Sequence, residues 1–358
     1  MKIGILGNGQ LGRMLAASVT DLNDVDVLLY DLNQHDDAAL NAFLASVERV
    51  TYETENIPAH IVDQLDAVAD KVLPNLTALR TFQNRLKEKN ALRNAGIATA
   101  EFRAVNSLDD LHKAVEELGL PLVLKTTTEG YDGKGQFVLK QPPDAEKAWA
   151  AIGNRELIAE AFVDIIRELS VIGCRDHQGN MVFWPMTENL HHEGILRYSL
   201  YPPHNLDPAQ VEQAQEYGRH LADSLNYVGT ITLELFATKD GLVANEVAPR
   251  VHNSGHWSIE GCVSSQFRNH ILAIAGRELG PTDARYPAVA MVNVIGDETP
   301  TEKLKDLPDT FIHSYGKSPR PGRKLGHVTV VAQSWPERDA KVDALVELIP
   351  EPARPSRQ

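Results

Sequence analysis

The chain has 358 residues, 43% of them apolar and 23% charged, and its 35 basic and 49 acidic side chains leave a net charge of −14. Such a length calls for two or three domains of roughly 150 residues, and the acidic balance excludes a protein built to hold nucleic acid or an anionic membrane, since both need a basic footprint. Cys174 and Cys262 are too few for a disulfide framework or a thiolate zinc site. No apolar run approaches the ~20 residues of a membrane span, and Met1–Leu6 carries no signal-peptide pattern, so a cytoplasmic enzyme is expected.

Taken in chain order, Lys2–Leu6 reads as a strand, Gln10–Val19 as a helix and Val25–Tyr30 as a second strand. The alternation continues to about Pro74 and implies a small parallel sheet covered by helices, within an N-terminal unit over 1–97. Gly7-Asn8-Gly9-Gln10-Leu11-Gly12 fits G-x-G-x-x-G between the first strand and helix, and Asp31 follows about twenty residues later. That is the setting of a dinucleotide site with a phosphate on a helix N-terminus. The same loop suits any anionic ligand, or a tight turn before a packed helix, and its residues alone leave the three open.

Thr77–Asn94 reads as one charged helix carrying Arg80, Arg85, Lys87, Lys89 and Arg93, with Gly96 as its left-handed cap. Over 98–162 the pattern is that of a compact α+β lobe. Its helices are Asp109–Leu118 and Asp144–Ile152, and its strands Pro121–Lys125 and Gln136–Lys140. Between those strands, Gly130-Tyr131-Asp132-Gly133-Lys134-Gly135-Gln136 places three glycines in a turn whose amides can wrap phosphate oxygens. Lys134 adds a cation at the tip, and Lys125 meets the same phosphate from the strand end. The alternative is a hairpin with solubilising charges. No G-K-[ST] opens a helix, so this is not a Walker A loop.

The segment 163–290 is rich in strands (Glu168–Cys174, Met181–Pro185, Gly229–Ala237, Leu242–Val247), with helices over Pro208–Asn226 and Ser265–Ala275. A β-rich region follows over 291–350, entered by Val289–Ile295, and the polar tail 351–358 reads as disordered. Centring the turn on Asp240 pairs Glu234 with Glu246 across two strands flanked by apolar residues. Opposed like charges on a sheet repel, unless a cation lies between them. Magnesium suits the pair, with Asn245 as a further oxygen. A two-residue turn would instead stagger the glutamates. Directly afterwards, Pro249–Trp257 concentrates polar groups, among them Arg250, which can clamp an oxyanion bidentately, and His252, which can donate near neutral pH.

Together these residues resemble one family. Asn8–Gly12, Gly130–Gln136, Asn189-Leu190-His191, Asn245-Glu246, Pro249–Trp257 and Arg320-Pro321-Gly322-Arg323-Lys324-Leu325-Gly326-His327 are similar to N5-carboxyaminoimidazole ribonucleotide synthetases, ATP-grasp enzymes of purine biosynthesis, in consistent order from Met1 to about His327. The resemblance implies an ATP-grasp fold of mixed α/β and α+β character. It has an N-terminal Rossmann-like pre-ATP-grasp domain (1–97), a central lid (98–162), a catalytic subdomain (163–290) and a small C-terminal β-rich subdomain (291–350). Also implied is carboxylation of aminoimidazole ribonucleotide with ATP and bicarbonate, through carboxyphosphate, by a cytoplasmic homodimer using magnesium, with manganese as an alternative.

Carried over by position, Arg85, Lys125, Gly130–Gln136, Glu160, Ala161, Phe162, Val163, Glu168, His191, Asn245 and Glu246 resemble ATP contacts. Glu234 and Glu246 match the metal ligands. Arg250, His252, Asn253 and Lys134 resemble the catalytic set. Gln10, Leu11, Glu55, Tyr131, Asp132, Lys317 and Arg323 resemble the ribonucleotide site. Arg80 stands as an alternative to Arg85, because both are expected on one helix.

Overall fold

The computed structural model describes residues 1–34, 36–128, 135–296, 304–305 and 307–349, and every count or absence below is of those residues. Gly130–Lys134 and the tail 351–358 lie outside them.

Three sheets make the molecule. In the first, β1 (Lys2–Leu6), β2 (Asp26–Tyr30) and β3 (Arg49–Tyr52) run parallel in the order β2-β1-β3, as the alternating pattern implies. Helices α1 (Gln10–Ala17), α2 (Asp37–Ser46) and α3 (Ala59–Leu65) accompany them. Covered on both faces, β1 buries Ile3, Ile5 and Leu6 completely.

The charged helix expected over Thr77–Asn94 is two helices, α4 (Leu76–Phe82) and α5 (Arg85–Asn94). Asn84 breaks the run, its Oδ1 accepting the Leu86 and Lys87 amides at 3.0 and 3.1 Å as a new N-cap. Arg80 and Arg85 therefore sit on different helices. Gly96, at φ +75°, closes α5 in the left-handed conformation.

The second sheet contains β4 (Phe102–Val105), β5 (Leu122–Thr126), β6 (Gln136–Leu139) and β7 (Leu157–Ala161), antiparallel in the order β4-β7-β5-β6. Its helices α6 (Leu108–Leu118) and α7 (Asp144–Ile152) pack on Leu122 and Leu124. The two-residue period of β5 then turns Val123 and Lys125 to the opposite face, where they line a cavity.

The third sheet has nine strands. These are β8 (Arg167–Arg175), β9 (Met181–Phe183), β10 (Thr187–His192), β11 (Ile195–Tyr201), β12 (Gly229–Thr238), β13 (Gly241–Ala248), β14 (Ala288–Ile295), β15 (Thr310–Ser314) and β16 (Lys324–Ala332). Their order is β13-β12-β8-β10-β11-β14-β16-β15, with β9 paired to β8, so one continuous sheet runs through residue 290. The flanking helices are α8 (Pro208–Ser224), α9 (Ser258–Gly261), α10 (Gln266–Ile274) and α11 (Trp335–Leu348). His270 of α10 ties this sheet to the first: its Nδ1 accepts the Thr230 amide at 3.0 Å, and its Nε2 meets Thr51 Oγ1 at 2.8 Å. None of the described helices is long and apolar enough to cross a membrane.

Candidate active site

Where the three sheets meet they enclose a cavity of about 900 Å³. Arg85, Lys125, Gly135, Gln136 and the run Glu160–Val163 line its upper part, and Glu168, His191, Glu234, Asn245 and Glu246 line it from the large sheet. Arg250, His252 and Asn253 follow, with Gln10, Leu11, Glu55 and Lys317 at the far end. Two of the expected side chains stand apart. Arg323 donates to Ser318 O and Oγ, both at 3.0 Å, and is not part of the lining. Arg80 pairs with Asp66 at 2.8 Å on the surface, so of these two arginines Arg85 is the one that faces the cavity. The expected residues Gly130, Tyr131, Asp132, Gly133 and Lys134 lie outside the described residues.

At the upper end Glu160 is held between Lys125 at 3.1 Å and Lys89 at 3.3 Å. Burial pushes its carboxyl up, but the two ammonium groups prevail and bring it to about 2. Lys89 also donates to the Asn245 carbonyl at 2.7 Å, joining α5, β7 and β13. From sequence, Lys89 is expected on a helix and carries no assignment to the site. Its spacing of four from Arg85, one helical turn on the same face, was the available signal.

Glu234 and Glu246 do face each other, though the register arises differently from the expectation. The turn has two residues, pairing Thr238 with Gly241 and Leu235 with Ala244, and a bulge at Asn245 then restores Glu234↔Glu246. Each carboxylate has its own partner: Glu234 Oε1 is 3.1 Å from His252 Nε2, and Glu246 Oε2 is 3.3 Å from Arg85 Nη1. Burial raises the Glu234 carboxyl, but the His252 hydrogen bond and the surrounding cations bring it to about 2. An ionised carboxylate only accepts, so His252 Nε2 carries a proton, and Nδ1 faces Ser254 Oγ at 2.8 Å.

Gln266 fixes this loop by taking the His252 amide at 2.9 Å and donating to its carbonyl at 2.6 Å. Asn253 exchanges two amide hydrogen bonds with Asn293, at 3.0 and 2.7 Å. Sequence patterns single out neither Gln266 nor Asn293, because only folding brings their elements beside the loop. Arg250 grips Glu55 through Nε at 2.5 Å and Nη2 at 3.0 Å, with Nη1 on the Val251 carbonyl at 3.1 Å. Burial works against the Glu55 charge, but the guanidinium outweighs it and holds the carboxyl below its usual range. Of the five guanidinium protons, one on each terminal nitrogen is left for an oxyanion. His191 contacts Glu168 at 2.8 Å. Burial opposes its charge, yet Glu168 raises its pKa.

The dinucleotide-like loop carries its own anion. The Gly9 and Gly12 amides donate to the two oxygens of Glu53 at 2.7 and 2.6 Å, which removes the ground for a nicotinamide reading. Gln10, next in the loop, accepts from Lys317.

Comparison with known proteins bears directly on this geometry. The ribonucleotide synthetase preATP-grasp domain matches residues 1–83, the ATP-grasp domain 90–267 and the phosphoribosylaminoimidazole carboxylase C-terminal domain 289–341. The N5-carboxyaminoimidazole ribonucleotide synthase of Pseudomonas aeruginosa is 41% identical over 97% of this chain and 100% of its own. The chain belongs to the N5-carboxyaminoimidazole ribonucleotide synthase family. Among solved structures, the synthetase from Thermus thermophilus superposes with a TM-score of 0.91 at 36% identity, covering 99% of this chain and 100% of that one. The synthase from Aspergillus clavatus, in complex with ADP and 5-aminoimidazole ribonucleotide, has a TM-score of 0.88 at 31% identity, covering 97% and 98%. The fold is therefore that of the ATP-grasp synthases, with the pre-ATP-grasp, ATP-grasp and C-terminal units in the same order.

Proposed function

We propose that this chain catalyses the ATP-dependent carboxylation of 5-aminoimidazole ribonucleotide by bicarbonate, yielding N5-carboxyaminoimidazole ribonucleotide, ADP and phosphate in purine biosynthesis. The observation that carries the proposal is the convergence on one cavity of phosphate-type cations, an opposed carboxylate pair and a polar loop, with Gln10 and Lys317 in the same lining.

In this reading the adenine lies along Glu160–Val163, against Phe162, which is 55% exposed. Glu168 and His191 take the ribose. Arg85, Lys125, Gly135 and Gln136 meet the phosphates, and the same assignment extends to Gly130, Tyr131, Asp132, Gly133 and Lys134. Glu234, Glu246 and the Asn245 side chain offer the oxygen donors that magnesium or manganese favours. The described residues hold no cluster of three or more His, Cys, Asp or Glu side chains suited to a metal. Phosphate oxygens and water would therefore complete the shell, which is the usual way magnesium binds at such sites. The ion would supply charge neutralisation at the transferring phosphoryl group.

A bicarbonate oxygen attacks the γ-phosphorus, the bond to the bridging oxygen breaks, and ADP departs. Arg85 and Lys125 offset the charge that builds on the phosphoryl oxygens. The exocyclic amine then attacks the carboxyl carbon of carboxyphosphate, the bond to phosphate breaks, and the amine gives up one proton. The remaining Arg250 protons point the carboxyl group, with His252 and Asn253 beside them. Gln10, Leu11, Glu55 and Lys317 hold the ribonucleotide, joined by Tyr131 and Asp132.

Incubation with labelled bicarbonate, ATP and the ribonucleotide tests this directly. The label is expected in a carboxylated ribonucleotide, one per ADP formed. ADP formation indifferent to both co-substrates would sink the reading, and incorporation of formate instead would point to a formyl-transferring ligase. The resemblance also carries a homodimer, which sedimentation would reveal. Two buried free cysteines suit the reducing cytoplasm.

A further inference from the structure

Glu53 lines the cavity, yet neither the phosphoryl transfer nor the carboxylation uses it. Its two carboxylate oxygens receive the Gly9 and Gly12 amides at 2.7 and 2.6 Å, short charge-assisted bonds at the N-terminus of α1. That end of a helix attracts negative charge and is the usual seat of a ligand phosphate. The glycines of the loop fit Glu53 closely. A Cβ at Gly7, where φ is +122°, would lie 2.2 Å from Glu53 Cγ, and one at Gly9 would lie 2.7 Å from its Oε1. A Cβ at Gly12 would lie 2.6 Å from the Gly7 carbonyl oxygen, so that glycine serves the turn itself. Between the two bonded amides stands Gln10, whose side-chain oxygen accepts from Lys317 across the cavity.

We propose that Glu53 is a specificity-determining residue. It is an internal anion that fills the phosphate seat of the Gly7–Gly12 loop, fixes Gln10 against Lys317 and turns the ribonucleotide's 5′-phosphate away from the helix toward Lys317. The inference rests on the ribonucleotide reading above for its substrate, and on the loop geometry for the filled seat. Glu53 acts through the backbone it holds, so it positions other groups rather than reacting.

Two variants separate its charge from its shape. Glu53→Ala empties the seat, and Glu53→Gln keeps the volume but can accept only through one oxygen. In Glu53→Ala the KM for the ribonucleotide is expected to rise about tenfold or more, the scale of losing charge-assisted hydrogen bonds, while the KM for ATP stays within about twofold. Acetate should enter the vacated seat, lowering the ribonucleotide KM of Glu53→Ala and raising its melting temperature. The same acetate should leave the wild type and Glu53→Gln unchanged. Melting needs no substrate, so this arm decides whether Glu53 fills an anion seat even if the ribonucleotide reading fails. Acetate with no selective effect on the melting of Glu53→Ala overturns the proposal, and so does a parallel rise in both KM values. If Glu53→Ala does not fold, the KM split in Glu53→Gln decides: a rise confined to the ribonucleotide upholds it, and unchanged values overturn it.

Discussion

Glu246 stands opposite Glu234 across a strand pair and also neutralises Arg85, so one carboxylate joins the proposed metal position to the phosphate-facing cations. Its side chain is 41% exposed toward the cavity, which makes it dispensable for folding. Glu246→Gln is expected to lower bicarbonate-dependent ADP formation by about 100-fold or more, the scale of losing one preorganised charge-stabilising group, while its melting curve stays close to the wild type. Retained activity would remove Glu246 from the metal assignment. Lys89 is the contrasting case. It is 2% exposed, pairs with Glu160 and donates to the Asn245 carbonyl. Lys89→Met keeps the stem but leaves Glu160 with Lys125 as its one remaining ion-pair partner among the described residues. A loss of about 3 kcal/mol in urea-unfolding free energy is expected, since breaking a buried pair strands its partner's charge. A loss below about 1 kcal/mol would show the pair to be incidental.

Individual elements depend on residues whose effect is local, and others on contacts far along the chain. Asn84 ends the continuous helix that charge and periodicity suggested, and the bulge at Asn245 corrects a register that the two-residue turn had shifted. Both outcomes follow from hydrogen bonds that helical or alternating patterns do not encode. His270 works between elements. Its Nδ1 accepts the Thr230 amide, its Nε2 meets Thr51, and burial brings its pKa down to about 3. In the folded chain it stays neutral, whereas the unfolded chain protonates it below about pH 6.5. Stability contributed by this depressed pKa is thus present above pH 6.5 and is lost as the pH falls toward 3, at about 1.4 kcal/mol per pH unit. Between pH 7 and 5 the wild type should lose about 2 kcal/mol more unfolding free energy than His270→Gln. Equal losses in denaturant titrations at the two pH values would remove His270 as a source of acid sensitivity.

For the molecule as a whole, the cavity belongs to no single sheet, so a ligand that fills it draws on all three. Mg-ATP at 100 times its dissociation constant is expected to raise the unfolding free energy by about 2.7 kcal/mol. Adding a chelator should remove most of that gain without changing the melting of the free chain. An equal shift with ATP alone would count against a metal held by Glu234 and Glu246.

Much of this was legible in the chain. Strong apolar periodicity marked β1, β5, β12 and β14, and the cap at Gly96 followed from the need for a left-handed residue. The glutamate pair, the polar loop after it and the ordered motifs from Asn8 to His327 carried the family. Strands β10, β11, β15 and β16 escaped, because mixed polar residues such as Asn189, His191 and His313 interrupt their alternation. The filled seat under α1 escaped for a deeper reason. A glycine pattern specifies which backbone approach is sterically open, but not what occupies it, and Glu53 reaches the loop only once β3 lies beside β1. The same holds for the hold of Arg250 on Glu55 and of Gln266 on His252. Sequence by itself determined the residue types, the local periods and the family. Tertiary structure decided which charges answer one another, because Coulomb and hydrogen-bond energies depend on distances that only the packed sheets set.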